Sequence, residues 1–217
     1  MTYSIAARCE QSGAFGIAIS SSSICVASRC AWVGPFGAVV TQNVTDPSLG
    51  PAGLSLLRQG VGAGAILELL LAGTHQPEWR QLAVIDRYGR TAQHSGARAM
   101  AKAAFAEGDC CVALGNLLAE TEVPQRMISA FAEARDAQVP ERLLRALEAG
   151  LNAGGEGSGE RSAGLHVAEV YDWPVVDLRV DWHDEPLVEL RRLWERYAPQ
   201  RAAFEMRART PGAAPSF

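Results

Sequence analysis

The residues with the clearest chemical potential stand at the start of the chain, where residues 1–5 read MTYSI. Thr2 is small enough that we expect a methionine aminopeptidase to remove Met1 ahead of it. A terminal threonine then carries a hydroxyl and a free α-amino group, whose reference pKa of about 7.7–8.0 leaves it partly unprotonated near neutral pH. Such an amine activates the hydroxyl as a nucleophile for acyl transfer. The alternative is an ordinary first strand with a clipped methionine.

Three further side chains are candidates for the chemistry around that nucleophile. Ser4 and Thr41 carry hydroxyls suited to orienting the Thr2 amine, or are routine strand residues. Asn116 follows Gly115 at a strand end and offers an amide to a developing oxyanion, or simply forms a turn. Losing one oxyanion donor typically costs ~10²–10³ in rate, so such a group needs a fixed position. Thr2, Ser4 and Asn116 are therefore the predicted catalytic residues.

A second group of polar residues is predicted to bind substrate. Gln42 and Asn43 end an apolar strand, where they contact a substrate amide or cap the strand. Ser162 follows a Gly-rich segment and is a second candidate neighbour of the amine.

Other chemically active residues favour structural interpretations. His94 follows a predicted hairpin with no partner identifiable in sequence, so a hydrogen-bonded structural histidine is favoured over a general base. Residues 177–183 hold aspartate, arginine and histidine in a pattern typical of an ion-pair network, and no third metal ligand follows at useful spacing. Five cysteines without a Cys-x-x-Cys pair indicate reduced thiols, although a thiol enzyme using Cys110 or Cys111 is a weaker alternative. We expect no metal and no cofactor.

Composition places the chain among compact globular proteins. Its 217 residues are 48% hydrophobic and 20% charged, which fits one large domain with a substantial core. The net charge of −4 and the scattered Lys and Arg argue against nucleic acid or an anionic membrane as partner. The start of the chain lacks signal-peptide features, so a cytoplasmic location is expected. Apolar groups at Trp173 and Trp182 make a homodimer plausible.

The elements that must position these residues alternate in blocks. Strands are predicted over residues 2–7, 14–20, 24–27, 36–43, 80–86, 91–95, 110–114, 163–170 and 175–180, and helices over 51–59, 65–72, 122–136, 140–152 and 186–197. Strands segregated from helices favour an α+β layered fold over a βαβ array. We predict one domain over residues 1–198 and a frayed tail over 199–217.

Several stretches together match a known family. They are residues 2–8, 16–19, 41–42, 50–54, 86–90, 94–96, 115–118, 141–150, 153–156, 161–163 and 177–181. In unbroken order they resemble the bacterial family called domain of unknown function 1028, which is placed among the N-terminal-nucleophile (Ntn) hydrolases. The resemblance covers roughly residues 2–198, which is more specific than any single motif.

The resemblance implies a four-layer αββα sandwich of two antiparallel sheets and amide-bond hydrolysis by an N-terminal threonine. We expect a small-molecule amide as the substrate, although its identity does not carry over from the family. A catalytically inactive binding or scaffold protein with the same fold is the alternative.

Departures from the family pattern bear on that alternative. Ser21 is followed by Ser22, where relatives usually have a basic residue that is suited to lowering the amine pKa or binding a carboxylate. Arg161 stands where glutamine is common, which moves positive charge to another wall of the expected site. Trp182 replaces a usually polar residue. We therefore include Ser21 and Arg161 among the substrate-binding candidates, with Thr41, Gln42, Asn43 and Ser162.

Overall fold

The computed structural model describes residues 2–215 and contains two antiparallel sheets. The first sheet has six strands in the order β10-β9-β2-β1-β8-β7, so the first strand of the chain is central. Its strands are β1 (Thr2–Arg8), β2 (Phe15–Ser21), β7 (Ala104–Gly108), β8 (Cys111–Asn116), β9 (Ser162–Ala168) and β10 (Val176–Val180).

The second sheet has four strands in the order β3-β4-β5-β6. They are β3 (Ala31–Gly34), β4 (Gly37–Asn43), β5 (Arg80–Asp86) and β6 (Thr91–Ser95). The predicted hairpin of β5 and β6 is confirmed, with Ile85 paired to Thr91 next to the turn. The eight strand pairs of the described residues are all antiparallel. Short turns, which favour this arrangement, join β1 to β2, β3 to β4, β5 to β6 and β7 to β8.

Seven α-helices complete the described part of the chain. They are α1 (Val26–Cys30), α2 (Leu49–Arg58), α3 (Ala63–Gly73), α4 (Val123–Glu133), α5 (Val139–Asn152), α6 (Pro186–Tyr197) and α7 (Arg201–Arg209). Helices α4, α5 and α6 each have proline in their first turn, where its missing N–H leaves no helical hydrogen bond unmade. No helix within residues 2–215 is long and apolar enough to cross a membrane.

Three apolar cores define how the elements stack. Tyr3 and Ile5 of β1 pack with α4, α5 and α6 on one face of the six-stranded sheet. Ala6 points the other way, into a core shared with β4, β5 and α1. A third core joins the far face of the four-stranded sheet to α2 and α3. The order is therefore helices, six-stranded sheet, four-stranded sheet, helices, and strands buried on both faces explain the continuous apolar runs in the sequence.

Close approach of α5 to the six-stranded sheet depends on a glycine. A Cβ at Gly16 would lie 2.4 Å from the Leu143 side chain and 3.0 Å from the His166 carbonyl. Leu143 belongs to the predicted apolar face of α5, and it is fully buried. Glycine at position 16 thus lets that helix face rest directly on the strands.

Some predicted elements differ from the structure. Residues 24–27 do not form a strand, because Cys25 has a left-handed backbone (φ 56°) and α1 begins at Val26. The edge strands β3 and β7 were not predicted. The predicted tail over 199–217 contains α7, which is tied to the domain where Arg201 pairs with Glu169 and the Tyr171 hydroxyl donates to Glu205 at 2.9 Å.

Candidate active site

Thr2 is the first residue of the central strand β1. It pairs with Ser21 of β2 on one side and with Asn116 of β8 on the other. Its hydroxyl donates to the Ser21 Oγ at 3.2 Å, and the residue is 4% exposed. Met1, whose removal the sequence predicts, lies outside the described residues. The three predicted site residues Thr2, Ser21 and Asn116 therefore lie side by side across three strands.

Behind Thr2, a chain of buried polar side chains joins the two sheets. Since side chains alternate along a strand, Thr2 and Ser4 share the inter-sheet face of β1 with Ala6. The Ser4 hydroxyl donates to Gln42 Oε1 at 2.7 Å, and Gln42 Nε2 donates to Gln81 Oε1 at 2.7 Å. Asn116 Nδ2 donates to the same Gln81 oxygen at 2.9 Å. These contacts hold Ser4 and Asn116 of the six-stranded sheet against Gln42 and Gln81 of the four-stranded sheet.

Gln81 at the centre of this network is a residue that sequence reasoning missed. It is fully buried, and its Nε2 donates to the Gly115 carbonyl at 2.9 Å. The sequence does contain an indication of this role. Gln81 shares the inter-sheet face of β5 with Ala83 and Ile85, where a buried polar side chain needs a hydrogen-bond partner. Asn116 Oδ1 is buried and accepts no hydrogen bond from another described residue.

Thr41 and Asn43 lie outside the polar network behind Thr2, to which their neighbour Gln42 belongs. The two-residue period of β4 turns them away from the sheet interface. Thr41 Oγ1 lies 3.1 Å from Thr45 Oγ1 and donates to the Asp46 carbonyl at 3.3 Å. Asn43 donates from Nδ2 to the Trp79 carbonyl at 2.6 Å and accepts from the Met100 amide at 3.2 Å. Both side chains thus stabilise neighbouring loops through hydrogen bonds to the loop residues.

Ser162 and Arg161 lie one strand further from Thr2. Ser162 pairs with Ser21, but its hydroxyl donates to the Ser23 carbonyl at 2.5 Å and accepts from the Val26 amide at 3.2 Å, at the start of α1. The Arg161 guanidinium points to Asp184, with Nη1 3.3 Å from the Asp184 carbonyl and 3.6 Å from its carboxylate. The structure brings neither side chain to the Thr2 hydroxyl.

The residues interpreted as structural have local partners. His94 Nε2 lies 3.1 Å from the Pro77 carbonyl. Asp177 pairs with Arg179 at 2.7 Å and lies 3.3 Å from the buried His166, so part of the predicted ion-pair network is confirmed. Burial raises the pKa of the Cys111 thiol to about 12, which disfavours the thiolate that a thiol enzyme needs.

A second missed residue is Glu156, in the Gly-rich segment between α5 and β9. It is 3% exposed, and neither carboxylate oxygen accepts a hydrogen bond from another described residue. Burial raises the pKa of this carboxyl to about 7. Nearby Ser22 opposes the rise and the charge of Glu160 adds to it. The Gly-rich composition of this segment gives no sign in the sequence that it carries a buried acid.

Five surface cavities are bordered by described residues, and Thr2 lines none of these five. One of them, of 240 Å³, is lined by Glu160, Arg161 and the start of α6. Another, of 320 Å³, lies beside Phe36 under the Arg58–Asp172 ion pair. The Thr2 hydroxyl is thus largely enclosed at the end of its strand.

Fold and site together define a class: an α+β protein of two facing antiparallel sheets with a threonine opening the central strand of one of them. A family model described as "Family of unknown function (DUF1028)" matches residues 2–190, and the chain belongs to that family. The crystal structure of protein SPO2555 from Silicibacter pomeroyi, of the same family model, is similar with a TM-score of 0.83 and 29% identity. The similar region covers 91% of this chain and 89% of the SPO2555 chain. No curated protein matches the chain.

Proposed function

We propose that the chain is an Ntn-type amidohydrolase with a four-layer αββα sandwich and Thr2 as its nucleophile after removal of Met1. The observation that carries this proposal is the position of Thr2, first in a central strand between Ser21 and Asn116. Removal of one residue leaves the nucleophilic hydroxyl and a free amine on the same residue, at the end of a rigid strand. Preorganisation on a rigid element is what a covalent catalyst requires.

The chemistry follows the usual order for an N-terminal nucleophile. The neutral Thr2 amine takes the hydroxyl proton while Oγ attacks the substrate carbonyl, which gives a tetrahedral oxyanion. The amine then passes that proton to the leaving nitrogen, the C–N bond breaks, and an ester remains on Thr2. Water, deprotonated by the same amine, attacks the ester and releases the acid and the free enzyme.

Supporting roles fall to the buried polar network. We assign Asn116, directly beside Thr2, to stabilising the oxyanion, because one hydrogen of its Nδ2 goes to Gln81 and the other has no acceptor among residues 2–215. Ser21 accepts the Thr2 hydroxyl hydrogen bond in the resting state. Ser4 and Gln42 brace the strand ends that carry these groups.

The proposal is tested by intact mass and by an electrophilic β-lactone probe. We expect the purified protein to lack one methionine and to take up one probe molecule at Thr2. Thr2→Ala should abolish labelling, and Thr2→Ser should retain it because the hydroxyl is preserved. Thr121→Ala, an exposed threonine, is the matched control and should label like wild type. Retention of Met1, or labelling of Thr2→Ala at the wild-type rate, would overturn the proposal.

One observation favours the second candidate function, an inactive binding or scaffold protein of the same fold. Thr2 is 4% exposed and borders none of the five cavities. If the chain is an inactive binding protein, we expect no β-lactone adduct at Thr2 even when Met1 has been removed. An adduct at Thr2 would exclude this alternative.

A further inference from the structure

Glu156 lies where the first strand of the chain begins. Antiparallel pairing sets Thr2 opposite Ser21 and Asn116, so the two neighbouring strands run on past it toward Ser22 and Leu118. Leu118 forms an isolated β-bridge with Glu156, and Ser22 lies close enough to affect the Glu156 carboxyl. Glu156 therefore lies beside the two strands that flank β1, toward the nitrogen end of β1.

This carboxylate has no cation among residues 2–215. Lys102, in the segment beside Leu118, instead contacts the Ala119 carbonyl and lies 3.8 Å from Glu120. Arg161 is directed to Asp184. A buried carboxylate without a hydrogen bond or counter-charge is costly, commonly by several kcal/mol, so it is expected to have a partner when the protein works. Within residues 2–215, both of these neighbouring cations are engaged elsewhere.

We propose that Glu156 binds the free α-amino group of Thr2 and holds its nitrogen against the Thr2 hydroxyl. This rests on the proposed function, specifically on removal of Met1. Glu156 is then a positioning residue: it accepts one N–H of the amine and leaves the nitrogen lone pair directed at Oγ. Methionine removal creates the partner that the buried carboxylate lacks.

Other titratable groups around Glu156 do not supply this function. Glu160, on the same loop, accepts the Glu156 backbone N–H at 3.2 Å and adds negative charge. From β1, Tyr3 is buried, and burial holds its pKa well above the ordinary value, so it stays neutral. Negative charge at this spot raises the pKa of an adjacent amine. Removing the Glu156 charge must therefore lower it.

The test measures that amine directly. Protein is released from an N-terminal fusion by a protease that leaves Thr2 first, and its amine is trace-acetylated with acetic anhydride from pH 5 to 10. Mass spectrometry of the N-terminal peptide gives the extent of acetylation at each pH, and the pH midpoint of that curve is the pKa of the Thr2 amine. We expect Glu156→Gln to lower the midpoint by about one unit, the low end of the effect of an opposite charge nearby. Glu120→Gln, which removes an exposed carboxylate, should leave it unchanged.

A conservative variant separates positioning from a role in folding. Glu156→Asp keeps the charge and shortens the reach, so its midpoint should return toward that of wild type. Equal midpoints for wild type and Glu156→Gln would overturn the inference, and so would equal shifts in the Gln and Asp variants. Should the midpoint shift while wild type takes up no β-lactone, the inference stands and the proposed function fails. Should Thr2 form the adduct while the midpoint stays unshifted, the proposed function stands and the inference fails.

Discussion

Two buried acids in this protein have opposite surroundings. Asp86, in the turn between β5 and β6, is 1% exposed, and its carboxylate accepts four hydrogen bonds. They come from the backbone amides of Ala63, Tyr88 and Arg90 and from the Arg90 guanidinium. Glu156, in the loop before β9, is 3% exposed and accepts none from described residues. Burial alone therefore does not distinguish a structural acid from a functional one.

The two acids differ in whether their carboxylate oxygens accept hydrogen bonds from the described residues. The bonds to Asp86 fix the hairpin turn and the first residue of α3, so its charge is fully used within the fold. Glu156 keeps its hydrogen-bonding capacity for a group that the described residues do not supply. Unsatisfied buried polar groups are rare in native proteins and commonly mark a functional demand. The contrast predicts that the two acids respond differently to mutation.

The largest expected effect is on folding stability at Asp86. Asp86→Ala leaves three backbone amides and a guanidinium without their acceptor, and we expect a loss of about 3 kcal/mol in the free energy of unfolding. Glu156→Gln should cost about 1 kcal/mol or less, because the amine it leaves unpaired sheds its proton near neutral pH. Urea unfolding at pH 8 measures both.

Asp172→Ala is the control for this pair of variants. Asp172 also binds an arginine, Arg58, but both side chains are largely exposed, so the loss should stay within about 0.5 kcal/mol. If Glu156→Gln lowers the free energy of unfolding as much as Asp86→Ala does, the proposed distinction between the two acids fails.

His166 extends the comparison to a buried base. Burial lowers its pKa to about 4. The nearby Asp177 opposes that shift and Arg179 adds to it. Because the folded pKa lies below the ordinary 6.5, the unfolded chain binds more protons between about pH 4 and 6.5. Stability from this group is complete above pH 6.5 and is lost as pH falls toward 4, by about 3 kcal/mol in total.

The measurement is the urea midpoint at several pH values for wild type and His166→Asn. The variant should lose less stability than wild type as pH falls from 6.5 to 4. The exposed His183, replaced by Asn, should leave the wild-type pH dependence intact. Identical pH profiles for wild type and His166→Asn would show that the imidazole does not resist protonation in the fold.

The sequence predicts the central elements of this architecture better than its edges. Long apolar runs locate β1, β2 and β4, and the leucine periodicity locates α5. The edge strands β3 and β7 are short and partly exposed, so neither run length nor alternation marks them. Helix α1 is a single turn whose start depends on the left-handed Cys25, a conformation that no composition signal indicates.

The same limits explain the candidate site. Strand ends bring Thr2, Ser21 and Asn116 together, and their polar types are visible in sequence. Because β4 is buried on both faces, its sequence does not show which face each polar residue takes, and so Thr41 and Asn43 were grouped with Gln42. Gln81 and Glu156 owe their positions to packing between distant segments, which local periodicity does not encode.

The smallest effect we predict concerns Arg90, whose exposed side chain binds Asp86. The Arg90 guanidinium lies 2.8 Å from the Asp86 carboxylate, but the Arg90 side chain is 63% exposed. Solvent screens such a pair, so Arg90→Ala should cost less than about 1 kcal/mol, while the Arg90 backbone amide still donates to Asp86. Urea unfolding at 0.05 and 0.5 M NaCl measures this loss, which should shrink with salt. A loss as large as that of Asp86→Ala, unchanged by salt, would mean that the guanidinium rather than the backbone amides satisfies the buried acid. In that case, a nearby cation alone would satisfy a buried carboxylate, and the lack of one beside Glu156 within residues 2–215 would be a stronger reason to expect a partner there.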